Sequence, residues 1–170
     1  MIATLSGQTL TEAARSFTLT RVVDAPPADV YRAWTEADHL AWYFNPERPV
    51  PTEPIEVDAR PGGCFRVMMD EREGKRYWSG GRYLELVPAR RIVFEWGVAG
   101  GWPDLDEIPS EKRVVCTVAL APVGDGSQTE HVFTSAFPAA MTDEEIASFI
   151  AVGMREGWAT TIARLLIPGR

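Results

Sequence analysis

Glu85 is the ionisable side chain whose setting could support general acid or base chemistry: in the stretch GRYLELV it sits between Leu84 and Leu86, two residues from Tyr83. Alternation along a strand puts residues i and i+2 on one face. A Glu85 sharing the face of Tyr83 would therefore enter an apolar interior, where desolvation raises a carboxyl pKa and makes it a candidate proton donor or acceptor. The alternative is a surface Glu85 paired with an arginine such as Arg66 or Arg82. Asp58, Arg66 and His131 are lone polar residues in other strand-like segments, and His39 is expected on the solvated side of a helix. There is no G-x-S-x-G elbow, no phosphate-cradling glycine loop and no H-E-x-x-H. Arg60-Pro61-Gly62-Gly63 reads as a tight turn. Cys64 and Cys116 stand 52 positions apart with only two histidines to join them, which is neither a disulfide framework nor a zinc pattern. Both read as small apolar residues buried in a reducing cytoplasm. These residues call for no metal, no cofactor and no assigned catalytic group.

The bulk properties limit what could surround such a site. The chain has 170 residues, 45% hydrophobic and 24% charged, the composition of a globular protein. One domain of this size buries on the order of 70% of its unfolded surface, leaving room for a cavity. A formal charge of −7 opposes nucleic acid or anionic lipid as a partner, because both are bound by clustered Lys and Arg. No segment approaches 18 unbroken apolar residues, so no membrane insertion is expected. The N-terminus lacks the basic and apolar regions of a secretory signal, so the expected location is cytoplasmic.

The first sixteen residues read as a flexible extension and 17–168 as a single domain. The segment FTLTRVVD, Phe17 to Asp24, alternates as a strand. After it Pro26 and Pro27 suit a first helical turn, and Val30, Ala33, Trp34, Ala37, Leu40 and Ala41 recur at steps of three and four, giving one broken helix or two short ones. From Ile55 to Phe137 six alternating segments follow: IEVDAR, CFRVMMD, RYWSGGRYLELV, RIVFEW, RVVCTVAL and TEHVFTSAF. The short separators PGG, EREGK, PAR and PVGDGS predict hairpins and an antiparallel meander. The longer separator, Gly97 to Ser110, is either a functional loop or a solvated acidic insertion. Last, Thr142 and Glu145 form a capping box, and an apolar stripe from Ile146 to Leu165 predicts one continuous helix over Thr142 to Ile167. It would run about 39 Å at 1.5 Å per residue, stopped by Pro168 and Gly169.

These elements bury their apolar faces if the sheet curls around the last helix, which gives an α+β fold. Gly153 and Gly157 interrupt the stripe of that helix and imply either close backbone approach or deliberate space. Parity puts Phe65, Val67 and Met69 on one face, as it does Ile92, Phe94 and Trp96, and Gly81, Tyr83 and Glu85. The run Trp42-Tyr43-Phe44 cannot turn three rings into one core, so one ring is expected to anchor the helix and another to cover a cavity mouth.

The motifs DAPPADVYRAWTEADHLAWYFNPE, RPGGCFRVMM, GRYLELVPARRIVFEW and EGWATTIARLL, in this order, resemble the START-like (SRPBCC) superfamily with the helix-grip fold. More narrowly they resemble its bacterial branch named after the activator of the heat-shock-protein-90 ATPase, over about Phe17 to Leu166. Where the branch usually reads Trp-Trp-Gly-Pro, this chain has Tyr43-Phe44-Asn45-Pro46, and where it often has a histidine near the end of the last strand, this chain has Thr134-Ser135. Gly157-Trp158 matches. The resemblance implies a curved antiparallel sheet around a long C-terminal helix, with two short helices after the first strand. It also implies a cavity holding a small apolar or aromatic ligand. The ligand-binding residues expected are Trp34, Tyr43, Phe44, Phe65, Val67, Met69, Tyr83, Glu85, Phe94, Trp96, Phe133, Met154 and Trp158. Two alternatives stand beside this binding role: a cyclase or dehydratase using Glu85 in the cavity, and a chaperone accessory. A homodimer is compatible with all three.

Overall fold

The alternating segments pair as the sequence predicts, and the pairing extends further toward the N-terminus. The structure, a computed structural model, describes residues 1–44, 47, 52–70, 74–165 and 167. The turn at Asn45-Pro46, part of the turn at 71–75 and the stop at Pro168-Gly169 lie outside the described residues. Among the described residues nine strands form one antiparallel, curved sheet: β1 (Ile2–Leu5), β2 (Gln8–Ala13), β3 (Ser16–Val23), β4 (Glu56–Val57), β5 (Cys64–Asp70), β6 (Arg76–Val87), β7 (Arg91–Trp96), β8 (Val115–Val123) and β9 (Gln128–Ala136). Their order across the sheet is β1-β2-β3-β9-β8-β7-β6-β5-β4, so the predicted six-strand meander runs from β4 to β9 and β3 closes on its end.

The first sixteen residues are not a loose extension. Ser6 and Gly7, at φ 50° and 74°, make a two-residue turn with both central residues in the left-handed region, the geometry that matches the twist of a hairpin. Leu5 then faces Gln8, and β2 lies along β3. Gln8 is buried and its Nε2 donates to the Ala159 carbonyl at 2.7 Å. The hairpin thereby adds a buried hydrogen bond to the last helix.

Between β3 and β4 the chain forms α1 (Pro27–Thr35), which turns Val30, Ala33 and Trp34 inward, and then two short 3-10 turns, Ala37–His39 and Ala41–Tyr43. The predicted capping box is present: Thr142 Oγ1 accepts from Glu145 N at 3.2 Å and Glu145 Oε2 accepts from Thr142 N at 2.8 Å. The helix that follows is not continuous. It divides into α2 (Asp143–Ala151) and α3 (Met154–Ala163) around Gly153, whose φ of 87° breaks the helical path. That angle costs glycine nothing and any other residue a steric penalty. The two segments can therefore follow a concave sheet that a straight rod would leave.

The concave face carries the core. Phe17 and Leu19 of β3, Phe65 and Val67 of β5, Tyr83 of β6, Ile92 and Phe94 of β7, Cys116 and Val118 of β8, and Phe133 of β9 are buried against Trp34, Met154, Trp158 and Ile162. Gly81 of β6 makes one close approach, since an added Cβ would lie 2.3 Å from Phe94 and 2.8 Å from Phe65, whose rings meet edge to face at 5.2 Å.

The two glycines of the last helical segments are expected to respond in opposite directions. Gly153→Ala places a side chain at positive φ and should lower stability by about 1 kcal/mol. Gly157 is within α3 and has nothing within 4 Å of an added Cβ, so Gly157→Ala should raise stability by about 0.5 to 1 kcal/mol. Chemical denaturation midpoints of the two variants check both signs.

Candidate functional site

Where α3 leaves Gly157 without a side chain, the sheet and the helix enclose a cleft of about 840 Å³. Met69 of β5, Tyr77 and Ser79 of β6 and Trp96 of β7 form its sheet wall. Met154, Gly157, Trp158, Thr161 and Arg164 form its helical wall, and Tyr43 reaches it from the second 3-10 turn. Trp102, from the long loop after β7, closes one side: its ring stands edge-on to Trp96 at 5.2 Å and to Tyr77 at 6.0 Å. The loop holds that position because Trp102 N donates to the Trp78 carbonyl at 2.8 Å. Arg113 adds two bonds, to the carbonyls of Leu105 at 2.6 Å and Ile108 at 3.1 Å. Lys75, Val152, Gly153, Glu156 and Thr160 complete the lining.

Trp158 is the helix's main anchor, with Phe133 at 4.5 Å, Trp96 at 5.9 Å, Tyr43 at 6.1 Å and Phe94 at 6.2 Å between ring centroids. Tyr43 OH lies 3.2 Å from Ser79 Oγ, and burial pushes the Tyr43 phenol well above its ordinary pKa, so it stays protonated. Arg164 donates to the Tyr43 carbonyl at 3.0 Å and the Trp42 carbonyl at 3.4 Å, which fastens the 3-10 turn to the end of α3. Desolvation lowers the pKa of this guanidinium. Chemically, the cleft offers broad aromatic faces, two thioethers and a few donors. Among the described residues no group of three or more His, Cys, Asp or Glu is placed to hold a metal ion.

The family model described as Activator of Hsp90 ATPase homolog 1-like protein matches residues 24–166. The chain belongs to this family. Its fold is the helix-grip fold of the SRPBCC superfamily, whose members generally bind small hydrophobic molecules. A crystal structure of a protein from Nitrosomonas europaea is similar at 25% identity and TM-score 0.66, over 91% of this chain and 94% of that one. A second, from Chromobacterium violaceum, has 28% identity and TM-score 0.58, over 90% and 95%. A third, from Mycobacterium smegmatis, has 18% identity and TM-score 0.70, over 97% and 94%, and shows the fold alone. No curated protein matches the chain.

Of the residues expected to contact a ligand, Tyr43, Met69, Trp96, Met154 and Trp158 line the cleft. Trp34, Phe65, Val67, Tyr83, Phe94 and Phe133 lie behind it in the dry core, each at most 0% exposed. The aromatic run divides its duties. Trp42 is buried, with Nε1 donating to the Ala33 carbonyl at 2.9 Å and its ring on Trp34 at 4.8 Å, so it anchors the short helices. Tyr43 enters the cleft, and Phe44 packs half-buried against the core without lining it.

Glu85 does not enter the interior. The register slips between Tyr83, opposite Phe94, and Glu85, opposite Val93, so a bulge at Leu84 turns the next side chains over. Glu85 is exposed, 3.4 Å from Arg91, while Arg82 pairs with Glu95 at 2.5 Å and Arg66 with Glu56 at 3.5 Å. Sequence reasoning missed Tyr77 and Ser79, although they share the parity of Tyr83 and sit opposite Met69 and Val67. It also missed Thr160, Thr161 and Arg164, which follow Gly157 at helical steps, and Trp102, for which a loop gives no periodic signal.

His39 is half-buried beside Glu36 at 3.6 Å, not on a free solvated face. His131 is fully buried in the core away from the cleft, where its Nε2 accepts from Trp34 Nε1 at 3.2 Å. Burial, and secondarily the charge of Arg21, lowers its pKa from 6.5 to about 3. The unfolded chain therefore binds a proton that the folded one refuses. This contribution is neutral above pH 6.5 and erodes stability as pH falls toward 3, by up to about 1.4 kcal/mol per pH unit. His131→Gln keeps an acceptor for Trp34 and should lose stability less steeply below pH 6.5, by about 1 kcal/mol per unit. Unfolding free energies of both proteins between pH 4 and 7 measure the difference.

Proposed function

We propose that this protein is a cytoplasmic binding protein that holds a small apolar or aromatic molecule in the cleft between β5–β7 and α3. One observation carries the reading: a cleft of about 840 Å³ faced by Tyr43, Tyr77, Trp96, Trp102 and Trp158, with Gly157 leaving its helical wall bare. Small-molecule pockets span about 300 to 1,000 Å³ and are lined mostly by apolar and aromatic groups with a few polar ones. The free Cys64 and Cys116 support a reducing location. A homodimer fits the reading without being required by it.

The alternative of a cyclase or dehydratase depended on Glu85 inside the cavity, and Glu85 faces solvent beside Arg91. Among the described residues the carboxylate on the cleft lining is Glu156, half-exposed and 3.8 Å from Arg155. The chaperone-accessory alternative draws on the family's description alone.

Titration with the hydrophobic fluorophore N-phenyl-1-naphthylamine tests the cleft. The wild-type protein should bind it with enhanced emission. Gly157→Phe should weaken binding at least about tenfold without lowering the melting temperature, because a phenyl group fills the space from a helical position with open surroundings. Equal binding by both proteins would show that the dye sits elsewhere and overturn the assignment of the cleft.

A further inference from the structure

We infer that the ligand enters this cleft with a hydrogen-bond acceptor at its buried end, as a ketone, quinone or ester carbonyl on an aromatic frame. This rests on the reading of the cleft as a binding site and adds the chemistry of what it holds. Tyr43 and Ser79, 4% and 6% exposed, meet through their hydroxyls at 3.2 Å. Two hydroxyls carry two protons, and the bond between them uses one. Whichever group donates, the other keeps a proton with no further acceptor among the described residues. Burial keeps the Tyr43 phenol protonated, so deprotonation does not remove the surplus. Trp158, on the opposite wall and 4% exposed, buries a second donor, an indole N–H without an acceptor among the described residues.

The remaining charged groups on the lining point the same way. Lys75 and Arg164 are donors only, and among the described lining residues the one acidic side chain, Glu156, has a half-exposed carboxylate beside Arg155. A buried donor without an acceptor is costlier than an acceptor with an unused lone pair. A carbonyl oxygen accepts the surplus proton and brings none of its own. A hydrocarbon of the same shape leaves that proton unpaired.

The matched pair 9-fluorenone and fluorene tests this, because the two differ at one carbon and bury similar apolar area. Dissociation constants are measured by calorimetry for wild type and for the double variant Tyr43→Phe/Ser79→Ala, with melting temperatures recorded for each. The expected result is fluorenone bound about tenfold more tightly than fluorene by wild type. That preference should vanish in the double variant. Fluorene bound as well as or better than fluorenone by wild type overturns the inference and leaves the cleft reading standing. Binding of neither compound overturns both. A preference that survives the double variant overturns the assignment to these hydroxyls. Should the double variant fail to fold, the wild-type ratio alone decides for or against the acceptor.

Discussion

Between ring centroids Trp158 lies 4.5 Å from Phe133 and about 6 Å from Tyr43, Phe94 and Trp96, so one side chain joins α3 to β7, β9 and the second 3-10 turn. Burying a ring of this size stabilises by roughly 1.5 to 3 kcal/mol, more than the neighbouring Ala159 can contribute. The polar ties around it fix the C-terminal half of the helix. Gln8 reaches the Ala159 carbonyl, Arg21 donates to the Ile162 carbonyl at 2.7 Å, and Arg164 holds the 3-10 turn. The cleft is what remains beside this anchor, where the sheet curves away and the helix presents glycine.

Gly153 and Gly157 serve that arrangement by different physical means. At Gly153 the backbone demands freedom, since φ is 87° and a side chain would be strained even though nothing lies within 4 Å. At Gly157 the backbone is helical and demands nothing, and the missing side chain is the feature that matters. The division at Gly153 lets α2 lay Phe149 on Trp96 at 6.0 Å while α3 turns Trp158 into the concave face. A straight helix could not direct both rings at the curved sheet. The loop after β7 then supplies Trp102 from outside the regular elements, so sheet, helix and loop together wall the cleft.

The sequence displayed strands and the hydrophobic face of α3 clearly, because both are periodic signals set by local sterics and burial. Six strands of the meander, the capping box at Thr142 and the grouping of residues by face in β5 and β7 all followed from it. Parity failed in β6 alone, where one extra residue at Leu84 reverses every side chain after it, and a bulge has no unambiguous mark in a run as apolar as Tyr83-Leu84-Glu85-Leu86. The N-terminal hairpin was signalled only by Ser6-Gly7, a turn dipeptide between two short segments, IATL and QTLTEA, that lack a clean two-residue alternation. Along the last helix the stripe of apolar residues hid the break, since periodicity reports which residues face inward and is silent on whether the axis bends at Gly153. Core and cleft residues were not separable at all: Phe94 and Trp96 share one face of β7, and only their position relative to Gly157 puts the second on the cleft wall.

Tyr43 and Tyr83 show why that separation needs hydrogen bonds as well as burial. Both are buried, both have phenols held above their ordinary pKa by desolvation, and both pack against Phe65. Tyr83 donates to the Trp34 carbonyl at 2.8 Å, so its one proton is used within the chain and its ring fixes the end of α1. Tyr43 meets another hydroxyl, which can return as many protons as it takes, and the pair is left with one proton over. A satisfied polar group inside a core reads as architecture. Among the described residues unpaired buried groups also occur away from the cleft, at His131 Nδ1, Arg66 Nε and Arg155 Nε, so what sets the Tyr43–Ser79 pair apart is its place on the cleft wall, where an incoming molecule reaches it.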